Sequence, residues 1–286
     1  MMVRVAVVGH VEWVEFARVE RVPRPGEIVH ARETFEEAGG GGGVAAVQLA
    51  RLAGAVDFLT ALGADAAGRR AREALCARGV SVHAAPRERR QRRAFTLLDD
   101  AGERTITVLG ERIVPHGDDE LPWERLRRAD GVYFTGGDPA ALRAAREAAV
   151  LVATPRAREA IVATGVKLDV LVHSGSDAGE RIAPGELPVA PRLSVTTLGE
   201  RGGRWRTEGG DEGAWAPAPL PGPVADAYGA GDTFAAALTF ALASGRESEN
   251  ALSPGRRLED ALAFAARCSA ACLTGHGPYG AELPAS

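Results

Sequence analysis

Residues 226–245 read DAYGAGDTFAAALTFALASG. Gly229, Ala230 and Gly231 carry little or no side chain, so a ligand could reach their backbone N–H groups. They lead into an apolar run from Gly231 to Ser244, closed by Gly245, which predicts a helix. The first amides of a helix lack intrahelical partners, and the helix dipole favours negative charge there. Asp232 stands in the first turn, where a carboxylate could accept a proton from an attacking hydroxyl. Phosphoryl transfer asks mainly for this: positioning, charge stabilisation and one base. An N-capping aspartate after a glycine turn accounts for the same letters, so the local pattern leaves both readings open.

Outward from that helix the chain alternates. Val3 to Val8 is a short β-rich run ending at Gly9 and reads as a buried first strand. The charged stretch to about Phe35 turns at Pro23–Gly26 and reads as exposed strands and loops. Gly39–Gly43 then precede an apolar helix that stops near Gly54. Val56–Leu59 is a strand and Arg69–Arg78 a helix ended by Gly79. Two β-rich runs within residues 94–109 flank Asp99–Gly102 and predict a hairpin. Strand–helix alternation resumes with Val132–Thr135, Ala140–Ala149 and Leu151–Ala153. Strand-length runs follow at Asp169–His173 and Leu193–Thr197, then a polar loop at 247–257 and a helix at Leu258–Leu273. Such alternation implies a mainly parallel sheet covered by helices. The patches at about 11–37 and 87–112 break the scheme and are alike in character, so one small sheet built from both, a lid, is expected.

Of the 286 residues, 45% are hydrophobic and 25% charged, and the net charge is -4. That suffices for a sizeable core and lacks the basic footprint of a nucleic-acid binder. The N-terminal residues show no signal-peptide anatomy, and no run of about 18 apolar residues suggests a membrane span, so a cytoplasmic protein is expected. Three cysteines imply no disulfide framework. Lys167 is the one lysine and lacks the glycine frame of a Walker motif. Gly40-x-Gly42-x-x-Ala45 matches a relaxed dinucleotide fingerprint, but the preceding Glu33–Glu37 is not a buried strand. The six histidines show no metal-ligand spacing. The run Arg87–Arg93 could attract phosphates and is read as a solvated turn.

The chain resembles the ribokinase-like (PfkB) carbohydrate kinases. Asp226, two residues, then Gly229-Ala230-Gly231-Asp232 matches the C-terminal signature of that family. Pro25-Gly26-Glu27, Gly39–Gly43, Gly63-Ala64-Asp65 with Gly68, and Thr197-Leu198-Gly199 with Gly202 follow its order and spacing. The resemblance covers nearly the whole chain. It implies one kinase domain over 1–286, an α/β/α three-layer sandwich with a β-sheet lid, and transfer of phosphate from ATP to a hydroxyl of a small molecule. By the same resemblance, Asp232 is the base and the amides of Gly229, Ala230 and Gly231 the anion hole. Thr197, Gly199 and Gly202 line the nucleotide site, with Gly275, His276 and Gly277 near the adenine. Gly40, Gly41, His10 and Glu12 fall to the acceptor, Arg104 of the lid hairpin could reach phosphate, and Asp138, after the strand-end Gly136-Gly137, sits where an α/β fold presents ligand-binding residues. Asp226 is similar to the residue that holds a monovalent cation such as K+. Mg2+ is implied by the ATP phosphates, and the lid could supply a homodimer interface.

Several positions depart from the family pattern. Asn and Asp positions that typically hold sugar hydroxyls carry Glu12 and Val14, and the asparagine after the glycine run is Val44. The Asn-x-x-Glu that orders magnesium-bound water reads Ser174-Gly-Ser-Asp177, with Glu180 as a second candidate. Tyr228 replaces a smaller residue. Arg104 is equally readable as an exposed hairpin charge, and Asp138 as a turn aspartate. These departures keep a rival open, a kinase-fold protein that binds a metabolite without phosphorylating it, beside a nucleoside kinase of the same fold.

Overall fold

Val5, Ala6, Val7 and Val8 are all buried, the pattern of a strand covered on both faces. The computed structural model describes residues 3–100, 102–183, 185–245 and 255–285. In chain order its strands are β1 (Val5–Val8), β2 (Glu12–Arg18), β3 (Glu33–Gly39), β4 (Val56–Gly63), β5 (Val80–Arg87), β6 (Arg93–Leu98) and β7 (Arg104–Leu109). The rest are β8 (Gly131–Phe134), β9 (Val150–Ala153), β10 (Val170–Ser174), β11 (Leu193–Thr197), β12 (Gly203–Thr207) and β13 (Glu212–Trp215). The α-helices are α1 (Gly40–Ala53), α2 (Ala66–Ala77), α3 (Pro139–Ala145), α4 (Arg158–Thr164), α5 (Ala230–Ser244) and α6 (Arg256–Cys272).

Among the described residues, nine strands form one sheet in the order β13-β12-β11-β10-β9-β8-β1-β4-β5. Pairings from β11 through β5 are parallel, and β12 and β13 extend the sheet antiparallel. Successive side chains of a strand point to opposite faces, and the core divides accordingly. Val5, Val7, Val150 and Val152 join residues of α1, α2, α5 and α6, whereas Ala6, Val8, Leu151 and Ala153 join α3 and α4. The result is the three-layer α/β/α sandwich.

The second sheet runs β3-β2-β6-β7. β2 pairs antiparallel with β3 and parallel with β6, while the expected hairpin joins β6 to β7. The lid is therefore assembled from the two separated patches.

Some elements differ from the sequence reading. The first helix begins at Gly40, inside the glycine run, and the one read to Ala149 ends at Ala145. β5, β12, β13 and α4 had no assignment. β5 mixes His83 and Pro86 into its run and lies at a sheet edge, β12 alternates Arg with buried Trp205, and α4 has only seven residues. The polar loop read at 247–257 lies outside the described residues up to 254, and Arg256 and Arg257 open α6. Cys268 and Cys272 are free and buried, as small hydrophobes would be. No helix among the described residues is long and apolar enough to cross a membrane.

Candidate active site

Chain ends of parallel strands leave a crevice where loops can gather functional groups. Here residues following β1, β8, β9, β10 and β11 meet the N-terminus of α5 and the underside of the lid around a cavity of ≈ 920 Å³. Gly229, Ala230, Gly231 and Asp232 line it. Gly229 is left-handed (φ 81), and a Cβ there would lie 3.0 Å from Pro278 and from Val44, so the turn into α5 requires glycine. A Cβ on Gly231 would meet nothing within 4 Å, because that position faces open space. A Cβ on Gly41 would lie 3.0 Å from Asp232 Oδ1, so the N-terminus of α1 brings bare backbone beside the carboxylate.

Burial pushes the Asp232 carboxyl up to about 7, and the negative charge of Glu180 adds to this, while Arg104 and Arg156 oppose it. A carboxylate poised near neutrality can take a proton and still be ionised in a useful fraction of molecules. Glu180 accepts from Ser174 N at 2.8 Å and from Arg156 Nε at 3.1 Å. Asp177 accepts from Gly179 N at 2.8 Å and also contacts Arg156. Both carboxylates line the cavity.

Thr197, Gly199 and Gly202 line the cavity beyond α5, together with Trp215, which stacks on Phe234 with ring centroids 5.6 Å apart. Gly275, His276 and Gly277 are not among its lining residues. His276 is exposed and lies 2.8 Å from Arg18 Nη1 of β2, and Gly277 packs near Phe35 of β3. This loop is turned toward the lid's strands. Asp226 also lies behind the cavity wall. Its Oδ1 accepts from Tyr228 N at 2.7 Å, Oδ2 is buried without a partner, and burial raises its carboxyl above the usual range.

At the lid end, His10, Glu12, Gly40, Gly41 and Arg104 reach the cavity, but Asp138 does not. Its Oδ1 caps α3 at Ala141 N (2.8 Å) and accepts from Gly117 N (2.9 Å), so it is the turn aspartate. Glu12 Oε1 lies 2.7 Å from Arg92 Nε and 3.6 Å from His10 Nε2. Burial lowers the His10 pKa, which keeps the ring neutral. Arg104 is exposed on the hairpin, and its Nη1 donates to Ala227 O just ahead of α5.

Sequence reasoning missed Arg92, Arg112, Arg156 and Thr135, all of which line the cavity. The Arg87–Arg93 run held the signal for one of them. Its solvated-turn reading fits Arg89, paired with Glu111, but not Arg92, because buried Gln91 bonds to Gly63 N and Val11 O and fixes the turn against the sheet. Val14, Val44 and Tyr228 proved to be one feature. They pack with Phe16 under the lid, and the Tyr228 hydroxyl accepts from Gly40 N at 3.0 Å.

A family model described as pfkB family carbohydrate kinase matches residues 2–183 and 142–285. The ATP-dependent ribose-1-phosphate kinase of Halopiger xanaduensis is 33% identical over 159 residues. That match spans 53% of this chain and 53% of that protein, about half of each. Ribokinase from Thermotoga maritima superposes with a TM-score of 0.75 at 18% identity, covering 98% of this chain and 96% of its own. Arabidopsis thaliana ribokinase, complexed with ribose and ATP, gives 0.74 at 22% identity, covering 100% and 96%. Phosphofructokinase-2 from Escherichia coli, in complex with substrates and products, gives 0.72 at 16%, covering 99% and 95%. At these identities the superpositions speak to the fold.

Proposed function

The chain belongs to the pfkB family of carbohydrate kinases, and from that premise we propose that it transfers the γ-phosphoryl group of ATP directly to a hydroxyl of a sugar or sugar derivative, with Asp232 as base. The observation that carries this reading is a carboxylate lining the cavity from the first turn of a helix entered through bare glycines. The name of the ribose-1-phosphate kinase relative supports a sugar-based acceptor.

In this reading Thr197, Gly199, Gly202 and Trp215 bind the nucleotide, and the amides of Gly229, Ala230 and Gly231 hold the phosphate oxygens as charge shifts between them. The acceptor hydroxyl faces Asp232. As its oxygen bonds to the γ-phosphorus, the bond from phosphorus to the β–γ bridging oxygen breaks, ADP leaves, and the hydroxyl proton passes to Asp232. Arg104, beside the base, balances the phosphate charge.

Asp177 and Glu180 fit a magnesium ion held through water, since Arg156 and Ser174 N–H already occupy their oxygens. The spacing Asp177-x-x-Glu180 also restores the family's glutamate, so Glu180 is the better candidate. Magnesium would neutralise phosphate charge. The buried, unpartnered Oδ2 of Asp226 fits a monovalent cation behind the anion hole; equal rates with and without potassium would remove that assignment. Phe95 and Leu109, exposed on the lid, support a lid-to-lid dimer, which a monomeric mass in sedimentation would exclude.

The test is ADP release from Mg-ATP across sugars, sugar derivatives, polyols and nucleosides, with Asp232→Asn as control. Acceptor-dependent ADP that the substitution abolishes is expected. ATP binding without acceptor-dependent turnover would favour the metabolite-binding reading.

A further inference from the structure

A phosphoryl group in transfer spreads its charge over three oxygens, so it is best held from more than one side. Two sides are in place. The amides of Gly229, Ala230 and Gly231 open α5, which packs with Val150 and Val152 on one face of the large sheet. Arg104 reaches the cavity from the lid. On the opposite face of the sheet Ala153 and Ala157 pack with α3 and α4. The turn between β9 and α4, Pro155–Ala157, brings Arg156 to the cavity from that side.

Arg156 is fixed along one edge and open along the other. Its backbone O accepts from Arg112 Nη1 at 2.9 Å. Its Nε donates to Glu180 at 3.1 Å and its Nη2 to Asp177, while Nη1 donates to no acceptor among the described residues. A Cβ on Gly179 would lie 3.2 Å from Nη1, so the glycine leaves that nitrogen room. The side chain is 41% exposed. A planar guanidinium held this way suits a phosphate at its free edge.

Bracing the loop of Asp177 and Glu180 does not account for Arg156, because other groups brace it. Arg158 Nη2 donates to Gly179 O at 3.0 Å and to Arg181 O at 2.8 Å. Glu180 accepts from Ser174 N, and Asp177 from Gly179 N. Arg158 stays out of the cavity wall, whereas Arg156 is part of it. The charge of Arg156 acts on Asp232 and on buried Tyr133, so it is felt where the phosphoryl group meets the acceptor.

We propose that Arg156 is a second catalytic arginine, whose Nη1 grips the γ-phosphoryl oxygens during transfer from the side opposite the amides of α5. This deepens the kinase reading and rests on it. The bonds that form and break are those of direct transfer, from the β–γ bridging oxygen to the acceptor oxygen. Arg156 donates hydrogen bonds and takes no proton. Contacts that strengthen only in the transition state raise kcat and leave ground-state binding unchanged.

The experiment takes the acceptor turned over fastest in the ADP-release assay and compares the wild type with Arg156→Gln, Arg156→Lys, Arg156→Ala and Arg158→Gln. Arg156→Gln should lower kcat about 10²–10³-fold and shift the KM for ATP and for the acceptor by less than about threefold. Arg156→Lys should recover part of the loss, and guanidinium ions below denaturing concentrations should restore part of the activity of Arg156→Ala. Arg158→Gln should keep kcat within about threefold. Should Arg156→Gln fail to fold, Gly179→Ala presses on Nη1 and should lower kcat about tenfold. Calorimetry gives a readout without turnover. Aluminium fluoride, a mimic of the phosphoryl group in transfer, should tighten Mg-ADP binding to the wild type and not to Arg156→Gln, with Mg-ADP alone bound equally by both. A loss of kcat that excess magnesium restores would overturn the proposal, because Arg156 would then only order Asp177 and Glu180. Unchanged kcat in Arg156→Gln, an equal loss in Arg158→Gln, or aluminium fluoride acting alike on both proteins would also overturn it, and with Asp232 still required the kinase reading would stand. If no acceptor is turned over by the wild type, the kinase reading falls and this proposal with it.

Discussion

The base end and the lid end of the cavity are put together in different ways. At the base end the working parts are consecutive in sequence: Gly229, Ala230, Gly231 and Asp232 lie on one turn, and the selected property is bare backbone. At the lid end the parts come from four places. His10 follows β1, Glu12 opens β2, Arg92 precedes β6 and Arg112 follows β7, and the selected property is side-chain charge. The first construction suits a step common to many acceptors, namely holding phosphate and taking a proton. The second can be retuned one residue at a time, which is what a change of acceptor requires.

Asp232→Asn should break the base end most completely. A positioned base contributes about 10²–10⁴-fold, so kcat should fall by roughly that factor with ATP still bound. Stability should move the other way. The folded-state carboxyl is raised to about 7 from its ordinary value of 3.8, so the fold binds this proton more tightly than the unfolded chain does. Stability from that proton is complete at pH below the unfolded value and is lost as pH rises toward 7. The asparagine avoids the loss, and the variant should melt no lower than the wild type at pH 8. Retained turnover in a folded variant would remove Asp232 as the base.

Gly231→Ala separates phosphate access from folding. The added methyl meets no protein atom, so the melting temperature should hold or rise, while kcat/KM for ATP should drop by about 10²-fold through misplacement. Gly229→Ala should lose stability as well, because its φ of 81 is left-handed. Equal activity in Gly231→Ala and the wild type would show that phosphate does not approach there.

The pH profile is a smaller effect. Below about 7, kcat/KM should fall about tenfold per pH unit as Asp232 takes up its proton, and it should level off above. A flat profile between pH 5.5 and 8 would contradict that ionisation.

The smallest effect belongs to the boundary between the two ends. Tyr228→Phe leaves Gly40 N–H without its acceptor, which should cost about 1–3 kcal/mol in denaturant unfolding and little in kcat. An unchanged midpoint would mean that Tyr228 acts through packing alone.

The same contrast explains what could be read from the chain. The α5 turn and the β6–β7 hairpin rest on local letters, and both were legible. The lid was inferred from two patches of like character, and the structure pairs β2 with β6 across that separation. Val14, Val44 and Tyr228 read as three separate departures, because nothing local says that they touch. Arg112 was invisible for the same reason, being one arginine among many until the fold sets it beside Arg92 and Glu12. His276 misled in the opposite direction: its place in the chain suggested the nucleotide, but its ring turns to Arg18.

The most direct test of the account is a phosphorus NMR spectrum of the wild type with Mg-ATP and each acceptor of the panel. The account predicts ADP and a new phosphomonoester signal on at least one acceptor, growing in equal amounts and absent with Asp232→Asn. ADP accompanied only by inorganic phosphate, or no change in ATP with any acceptor of the panel, would contradict it.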